Sequence, residues 1–449
     1  MKKKRFVLST TQLIMLSFLM TILVGSLLLS LPISSKTGKS VSYIDALFTS
    51  TTSVCVTGLV TLPTHSTWSI FGQVVILALI QIGGLGIITI MSMLMIILRR
   101  KIGIGNRLLI QDAFNLNSLS GLVSFVKKVV FGTFIIEGIG ALCYMTVFIP
   151  EYGVKGLWIS IFNSVSAFCN AGIDIIADDS LCRYATNPII NIVTCALIIL
   201  GGIGFIVWWD ILGVFRNRKK KHLRHLSLHS KIALSMTAFL IVSGAILFFA
   251  FEYNNPETMA GYSTFDKIQL SVFQSVTTRT AGFMTVPQQN LTDASSLISL
   301  FLMFIGGSPV GTAGGIKTVT LAILIATAVS AVKNRNEVNI YNRNISRHSI
   351  MKAIGVLGMS FMTVFASTVL LSLVSNAGVL DVLYETVSAT ATVGLSRNLT
   401  STLDAWGKII IIITMYLGRI GPISLAIAFG MKKKSENVIK NPTEEVSVG

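Results

Sequence analysis

Apolar and polar positions alternate along the chain in a unit that occurs four times: a long apolar run, a polar break, a short half-apolar stretch, a small-residue segment and a second long apolar run. In the first unit the long run covers residues 11–31 and is stopped by Pro32 and the polar turn 34–38. At 1.5 Å per residue this run matches the ~30 Å hydrocarbon core of a bilayer. The short stretch, about residues 43–52, rises only ~15 Å. It predicts a helix that enters a membrane without crossing it, which is allowed only where protein or water surrounds the return path. A second run, residues 69–98, closes the unit at Arg99-Arg100-Lys101.

The later units read the same way. Long runs at 123–148, 232–251 and 351–374 precede short stretches near 158–166, 266–276 and 381–388. Final runs follow at 191–215, 297–332 and 409–430. The pattern predicts an all-α membrane protein of four parallel helix, pore-loop, helix repeats with pseudo-fourfold symmetry around one central pore. Its repeats cover 1–103, 104–222, 223–340 and 341–449, with an intramembrane loop at 306–318 and a C-terminal tail in the last. Eight full spans and four half-spans result. Two spans per repeat keep the repeats parallel, whereas inverted repeats need an odd number or a similar device.

Each short stretch leads into a segment that ends on a glycine followed by a large apolar residue: Gly58-Leu59, Gly172-Ile173, Gly282-Phe283 and Gly394-Leu395. The glycines are 110 to 114 residues apart, and Phe48, Phe162 and Tyr384 stand ten positions upstream of three of them, with Phe273 nine upstream of the fourth. Glycine takes positive φ without steric penalty, which lets successive carbonyls point the same way. Rings of such carbonyls replace the hydration shell of potassium. The expected filter residues are Val56, Thr57 and Gly58; Asn170, Ala171 and Gly172; Thr280, Ala281 and Gly282; Thr392, Val393 and Gly394. Small residues also serve close helix packing, but packing alone gives no reason for the register with an upstream aromatic.

Composition and charge narrow the class. With 52% apolar and 12% charged residues, the chain lies outside soluble norms. The net charge of +17 is distributed, not clustered as for nucleic acid: with the N-terminus taken as cytoplasmic, inside segments hold 26 Lys and Arg and outside loops eight. That asymmetry follows the positive-inside rule and places both termini in the cytoplasm. No nucleic-acid role remains. The five cysteines, Cys55, Cys143, Cys169, Cys182 and Cys195, lack metal-ligand spacing and read as buried thiols. Cys55 and Cys169 lie three residues before the expected filter glycines, a position that would allow a reactive thiol. The amphipathic stretch 107–122 is expected on the inner face.

Each inner run also carries glycines: Gly83, Gly84 and Gly86; Gly201, Gly202 and Gly204; Gly306 and Gly307; Gly418 and Gly421. They fit either close packing or a bend near mid-pore. In repeat three the run is interrupted by Gly306-Gly307-Ser308-Pro309-Val310-Gly311-Thr312-Ala313-Gly314-Gly315-Ile316-Lys317-Thr318. Five glycines and a proline end any helix. The segment 311–318 is no phosphate loop, because Ile316 stands where glycine is required and no strand precedes it. Broken backbone at membrane depth must line a cavity, which beneath a carbonyl filter is the pore. Arg419 is ~16 to 20 Å from either end of its run and is expected to face the pore or the carbonyls freed by the loop. Glu137, similarly deep, is expected to accept a hydrogen bond within the protein and to have no transport role.

These repeats, the glycine-rich interruption and the segment Gly418-Arg419-Ile420-Gly421-Pro422 resemble the Trk/Ktr/HKT superfamily of cation transporters over nearly the whole chain. Because the first outer helix opens the sequence, the chain looks most like the membrane subunit of a bacterial Ktr system. The resemblance implies potassium uptake with sodium dependence, one pore per chain, a homodimer, and a ring of cytosolic regulatory subunits that bind nucleotide (ATP, ADP or NAD). It implies that the loop 306–318 is a gate paired with Arg419, and that the tail 444–449 is similar to a segment at the dimer interface. A non-selective or sodium-transporting channel of the same architecture, a plain cation channel of another class, a secondary cation transporter and an integral-membrane enzyme are the alternatives. A transporter would call for paired intramembrane carboxylates, of which only Glu137 qualifies, and an enzyme for a metal cluster or nucleophile pair.

Overall fold

The computed structural model describes residues 9–98, 121–216 and 225–421. Repeat one consists of an outer helix Thr10–Ser30, a pore helix Tyr43–Cys55 and an inner helix in two parts, Ile70–Leu85 and Ile87–Ile97. Repeat two has Leu122–Tyr152, Val154–Cys169, and Pro188–Gly202 with Phe205–Arg216. Repeat three has Leu228–Glu252, Thr264–Thr277, and Asp293–Phe304 with Thr318–Val332. Repeat four has Arg347–Val374, Val379–Ala391 and Ala405–Ile420. The basic runs at 2–5, 99–101 and 217–224, most of the stretch 107–122, Pro422 and the tail lie outside the described residues.

Local chemistry accounts for the helix starts. Ser9 Oγ accepts the Gln12 N–H at 3.2 Å while Gln12 Oε1 accepts the Ser9 N–H at 3.0 Å, a reciprocal capping box. Ser227 and Ser346 cap two further outer helices. The pore helices are longer than their apolar stretches, because their buried polar residues, such as Thr49 to Ser53, blur the hydrophobic pattern.

Two of the inner helices take the bend that their glycine clusters leave open in the sequence. The first is bent by 98° and the second by 96°, with Gly86 at φ 83° and Gly204 at φ 92°. Gly421 ends the fourth with φ 85° and ψ 134°, close to the 83° and 136° of Gly86. Packing and bending are divided among the glycines of each cluster. A Cβ on Gly83, Gly201 or Gly418 would collide with the carbonyl of Val54, Phe168 or Thr390, each four residues before one of the recurrent glycines Gly58, Gly172 and Gly394, whereas three positions later Gly86, Gly204 and Gly421 take the positive φ. Among the described residues four helices are long and apolar enough to cross a bilayer, six if each bent pair is one span. The eight expected are not all continuous, since the third inner helix is split and only residues to 421 of the fourth are described. The protein is a multi-pass membrane protein. One two-stranded hairpin, Asn339–Ile340 with Arg343–Asn344, departs from the all-α expectation. Tyr341 and Asn342 at positive φ form its tight turn.

Each pore helix packs on its own outer helix, and each inner helix packs on the pore helix of the next repeat. The last inner helix meets the first pore helix, so the order closes into a ring, and Lys408 Nζ donates to Asp45 Oδ1 at 2.6 Å across that junction. In three repeats a pore-helix serine bonds an outer-helix carbonyl: Ser50 to Ile22 at 2.7 Å, Ser164 to Glu137 at 2.6 Å and Ser275 to Ile241 at 2.8 Å. Three residues after each carbonyl stands a glycine, Gly25, Gly140 or Gly244, against which the serine and an inner-helix leucine are seated. In the fourth, Thr386 meets Thr368 Oγ1 instead, at 2.7 Å.

These seats are tight. A Cβ on Gly140 would lie 2.5 Å from Ser164 Oγ and 2.8 Å from Leu197 Cδ1, whereas one on Gly138 would have nothing within 4 Å. Gly140→Ala should therefore destabilise the fold by about 1–3 kcal/mol, the cost of overpacking. Gly138→Ala on the same helix should be neutral or stabilising, by up to about 1 kcal/mol. Thermal unfolding of the two variants in detergent checks the contrast.

Candidate functional site

The four pore helices converge on one ring of backbone. Val56, Asn170 and Thr392 end three of them in the left-handed conformation, with φ 55°, 58° and 52°. In repeat three Thr278 is still right-handed and Thr280 takes φ 67°. After one intervening residue each segment reaches its glycine at positive φ: 97° at Gly58, 63° at Gly172, 85° at Gly282 and 97° at Gly394. Backbone that alternates the sign of φ in this way brings successive carbonyls to one side, and glycine carries the second reversal without steric cost.

The glycines interlock. A Cβ on Gly58 would stand 2.5 Å from the Ala171 carbonyl oxygen, one on Gly172 2.5 Å from that of Ala281, and one on Gly282 2.5 Å from that of Val393. Gly394 faces the Thr57 carbonyl in the same manner and completes the cycle. The structure thus brings all twelve sequence-predicted residues into one ring. Helix C-termini carry partial negative charge, so four of them converging favour a cation at the centre. Phe48, Phe162, Phe273 and Tyr384 are fully buried behind it.

One set of residues escaped the sequence reading. Thr52 Oγ1 accepts the Gly58 N–H at 2.9 Å, and Ser388 Oγ accepts the Gly394 N–H at 3.0 Å. Ser166 Oγ accepts the Ile173 N–H at 3.1 Å, and Thr277 Oγ1 donates to the Phe283 carbonyl at 2.6 Å. A hydroxyl five or six residues before every glycine was the available signal. Side-chain oxygens of Thr57, Thr280 and Thr392, and both amide atoms of Asn170, have no partner among the described residues. Buried polar atoms left bare cost about 1–3 kcal/mol each, so their gathering at one ring marks a place built for a polar visitor.

Residues 306–318 cross beneath this ring. The Gly306 N–H bonds the Ile316 carbonyl at 3.0 Å and the Ile316 N–H bonds Phe304 at 3.1 Å, which pins the two ends of the loop together. Its middle reaches repeat two, where the Ser308 N–H bonds the Gly202 carbonyl at 2.8 Å, Thr312 N–H bonds Gly201 at 3.1 Å, and the Phe205 N–H bonds Val310 at 2.9 Å. Gly314 lies directly against Thr392 Oγ1 and the Ala391 carbonyl of repeat four. Arg419 Nη1 donates to the Thr312 carbonyl at 2.7 Å and Nη2 to that of Gly83, so it ties the loop to repeat one. Lys317 Nζ donates to the Ala313 carbonyl at 2.6 Å and to that of Gly314 at 3.3 Å. All fourteen residues expected at this level, the thirteen of the loop and Arg419, therefore lie together.

Glu137 is buried, and its Oε2 accepts from Gln81 Nε2 at 3.2 Å. Cys55 and Cys169 are fully buried, which removes the exposure that thiol reactivity requires. Arg279, which precedes Thr280, is only 7% exposed and sits behind the repeat-three segment of the ring. Asp174, two residues past Gly172, has its carboxyl pushed up to about 6 by burial.

Comparison with known proteins gives a consistent picture. The family model described as TrkH, cation transport protein, matches residues 7–441. The potassium/sodium uptake protein NtpJ of Enterococcus hirae is 39% identical over 100% of this chain and 99% of its own length. The Ktr system potassium uptake protein B of Bacillus subtilis is 38% identical over 98% of this chain and 96% of its own. The crystal structure of the potassium transporter TrkH from Vibrio parahaemolyticus superposes with a TM-score of 0.76 at 16% identity, covering 96% of this chain and 86% of that one, a likeness of fold. With its interlocked glycines and a family match running through nearly every residue, the chain belongs to the TrkH family of cation transport proteins.

Proposed function

We propose that this chain mediates potassium uptake through a channel-like pore, with the glycine ring as selectivity filter and residues 306–318 with Arg419 as gate. The observation that carries the reading is the closed cycle in which each filter glycine faces the carbonyl before the next. Such a ring offers a dehydrated monovalent cation oxygen ligands from all four repeats. The similarity to the potassium/sodium uptake protein of Enterococcus hirae and the potassium uptake protein of Bacillus subtilis favours potassium as the ion. The first of those names also includes sodium, which favours sodium as coupling, activating or alternative cargo.

Both termini are assigned to the cytoplasm on the excess of Lys and Arg in the inner segments. A homodimer and a cytosolic nucleotide-binding ring follow from the Ktr resemblance. Effects of ATP or a dinucleotide on flux should then require that partner, and nucleotide bound by the isolated chain would count against it. Equilibrium dialysis of the purified chain against labelled ATP decides this.

Gly58→Ser would place a side chain against the Ala171 carbonyl at a φ of 97°. The potassium-to-sodium uptake ratio in proteoliposomes should fall by about tenfold, roughly 1.4 kcal/mol of discrimination. An unchanged ratio removes the ring from selectivity. Deleting residues 310–314 should raise flux and make it less dependent on a partner. Arg419→Ala should act in the same direction, by up to about 10-fold to 150-fold if a charge-assisted bond of roughly 1.5–3 kcal/mol is lost from the closed state. Stopped-flow flux no faster in the deletion variant, with the protein folded, would move the gate elsewhere.

A further inference from the structure

Arg279 stands one residue before Thr280, the left-handed residue of the repeat-three filter. Its side chain runs behind that filter to two places. Nη1 and Nη2 donate to the Thr237 carbonyl at 3.5 Å and to Thr237 Oγ1 at 3.4 Å on the outer helix, and Nη2 donates to the Gly306 carbonyl at 3.3 Å. Gly306 opens the loop beneath the ring. Nε has no partner, and the guanidinium forms no ion pair among the described residues. A cavity of about 10 Å³, bordered by Arg279, Thr237, Gly202 and Gly307, adjoins the group.

A buried cation without a counter-ion is expensive, and its position is set by whatever oxygens remain to it. All of the oxygens that Arg279 has belong either to a fixed outer helix or to the first residue of the loop. We infer that Arg279 is a positioning residue that couples the repeat-three filter to the loop, an inference resting on the filter-and-gate reading above. If the loop swings its Gly306 carbonyl away, the guanidinium loses an acceptor and must turn toward Thr237 or the adjoining cavity. One peptide away, Thr280 is displaced with it. Arg419 offers the contrast, since it bonds Thr312 and Gly83, neither of which is in the filter.

The test compares potassium and sodium flux into proteoliposomes for the full chain, Arg279→Gln, Arg279→Lys, Arg419→Ala and the deletion of residues 310–314, with thermal unfolding of each. Bonds of 3.3–3.5 Å are at the weak edge of hydrogen bonding, so effects of about threefold are expected. Arg279→Gln should raise potassium flux about threefold and lower the potassium-to-sodium ratio about threefold. Arg279→Lys should recover part of both, and Arg419→Ala should raise flux at the parent ratio. A residue that only supports the fold would lower the unfolding temperature without moving the ratio. Thr237→Val, which removes one acceptor and keeps the arginine, should shift flux and ratio in the same direction by less. It serves where Arg279→Gln does not fold. A parent ratio in both Arg279→Gln and Thr237→Val overturns the coupling while a faster deletion variant upholds the gate. Unchanged flux in the deletion variant overturns the gate, and the coupling with it, even where Arg279→Gln still shifts the ratio.

Discussion

The contact between a glycine of one repeat and a carbonyl of the next is the constraint on which the other features converge. A methyl group at any of the four glycines would fall within hydrogen-bonding distance of a neighbouring carbonyl oxygen. The pore helices that deliver these glycines must therefore be placed to a few tenths of an ångström. Serine bonds from Ser50, Ser164 and Ser275 to the outer helices fix their outer sides. Close seating of Gly83, Gly201 and Gly418 against their last turns fixes the inner sides.

Repeat three gives up that regularity. Its inner helix is replaced for a dozen residues by a loop whose carbonyls are no longer bonded along a helix, and cationic side chains take up several of them. Arg279 reaches Gly306, Arg419 reaches Thr312, and Lys317 reaches Ala313 and Gly314. Helical hydrogen bonds would make the segment rigid, whereas side-chain donors can satisfy the same oxygens and then release them. A segment held this way has alternative arrangements within reach of a modest bias. Arg419 and Arg279 also draw it toward different neighbours, repeat one and the repeat-three segment of the ring respectively.

Much of this was legible in the sequence because a membrane restricts the choices. Apolar length gave the outer helices to within a few residues, and the recurrence of Gly58, Gly172, Gly282 and Gly394 gave the ring. Bends at Gly86 and Gly204 were open, since a glycine in an apolar run serves packing and bending equally, and only coordinates separate Gly83 from Gly86. Pore-helix lengths were underestimated because residues such as Thr49 and Ser53 are polar yet buried, so polarity ceased to report exposure. The burial of Arg279 is not legible for a related reason: it depends on Thr237 and Gly306, 42 and 27 residues away.

The ring also stores strain, and the form of that strain argues for its purpose. Val56, Thr280 and Thr392 are β-branched yet hold φ of 55°, 67° and 52°, where such residues are outliers. Each costs on the order of 1–3 kcal/mol. Glycine would remove the cost, and in Thr280 and Thr392 it would also remove a bare buried hydroxyl. Stability alone gives no reason for either threonine. The left-handed turn orients the backbone carbonyls, and the hydroxyls of Thr280 and Thr392, with the amide of Asn170, have no hydrogen-bond partner among the described residues. Val56 supplies none, so the left-handed position two residues before each glycine carries a polar side chain in three repeats and an apolar one in repeat one. The four positions are thus chemically unequal, as a single chain of four unequal repeats permits and four identical subunits would not.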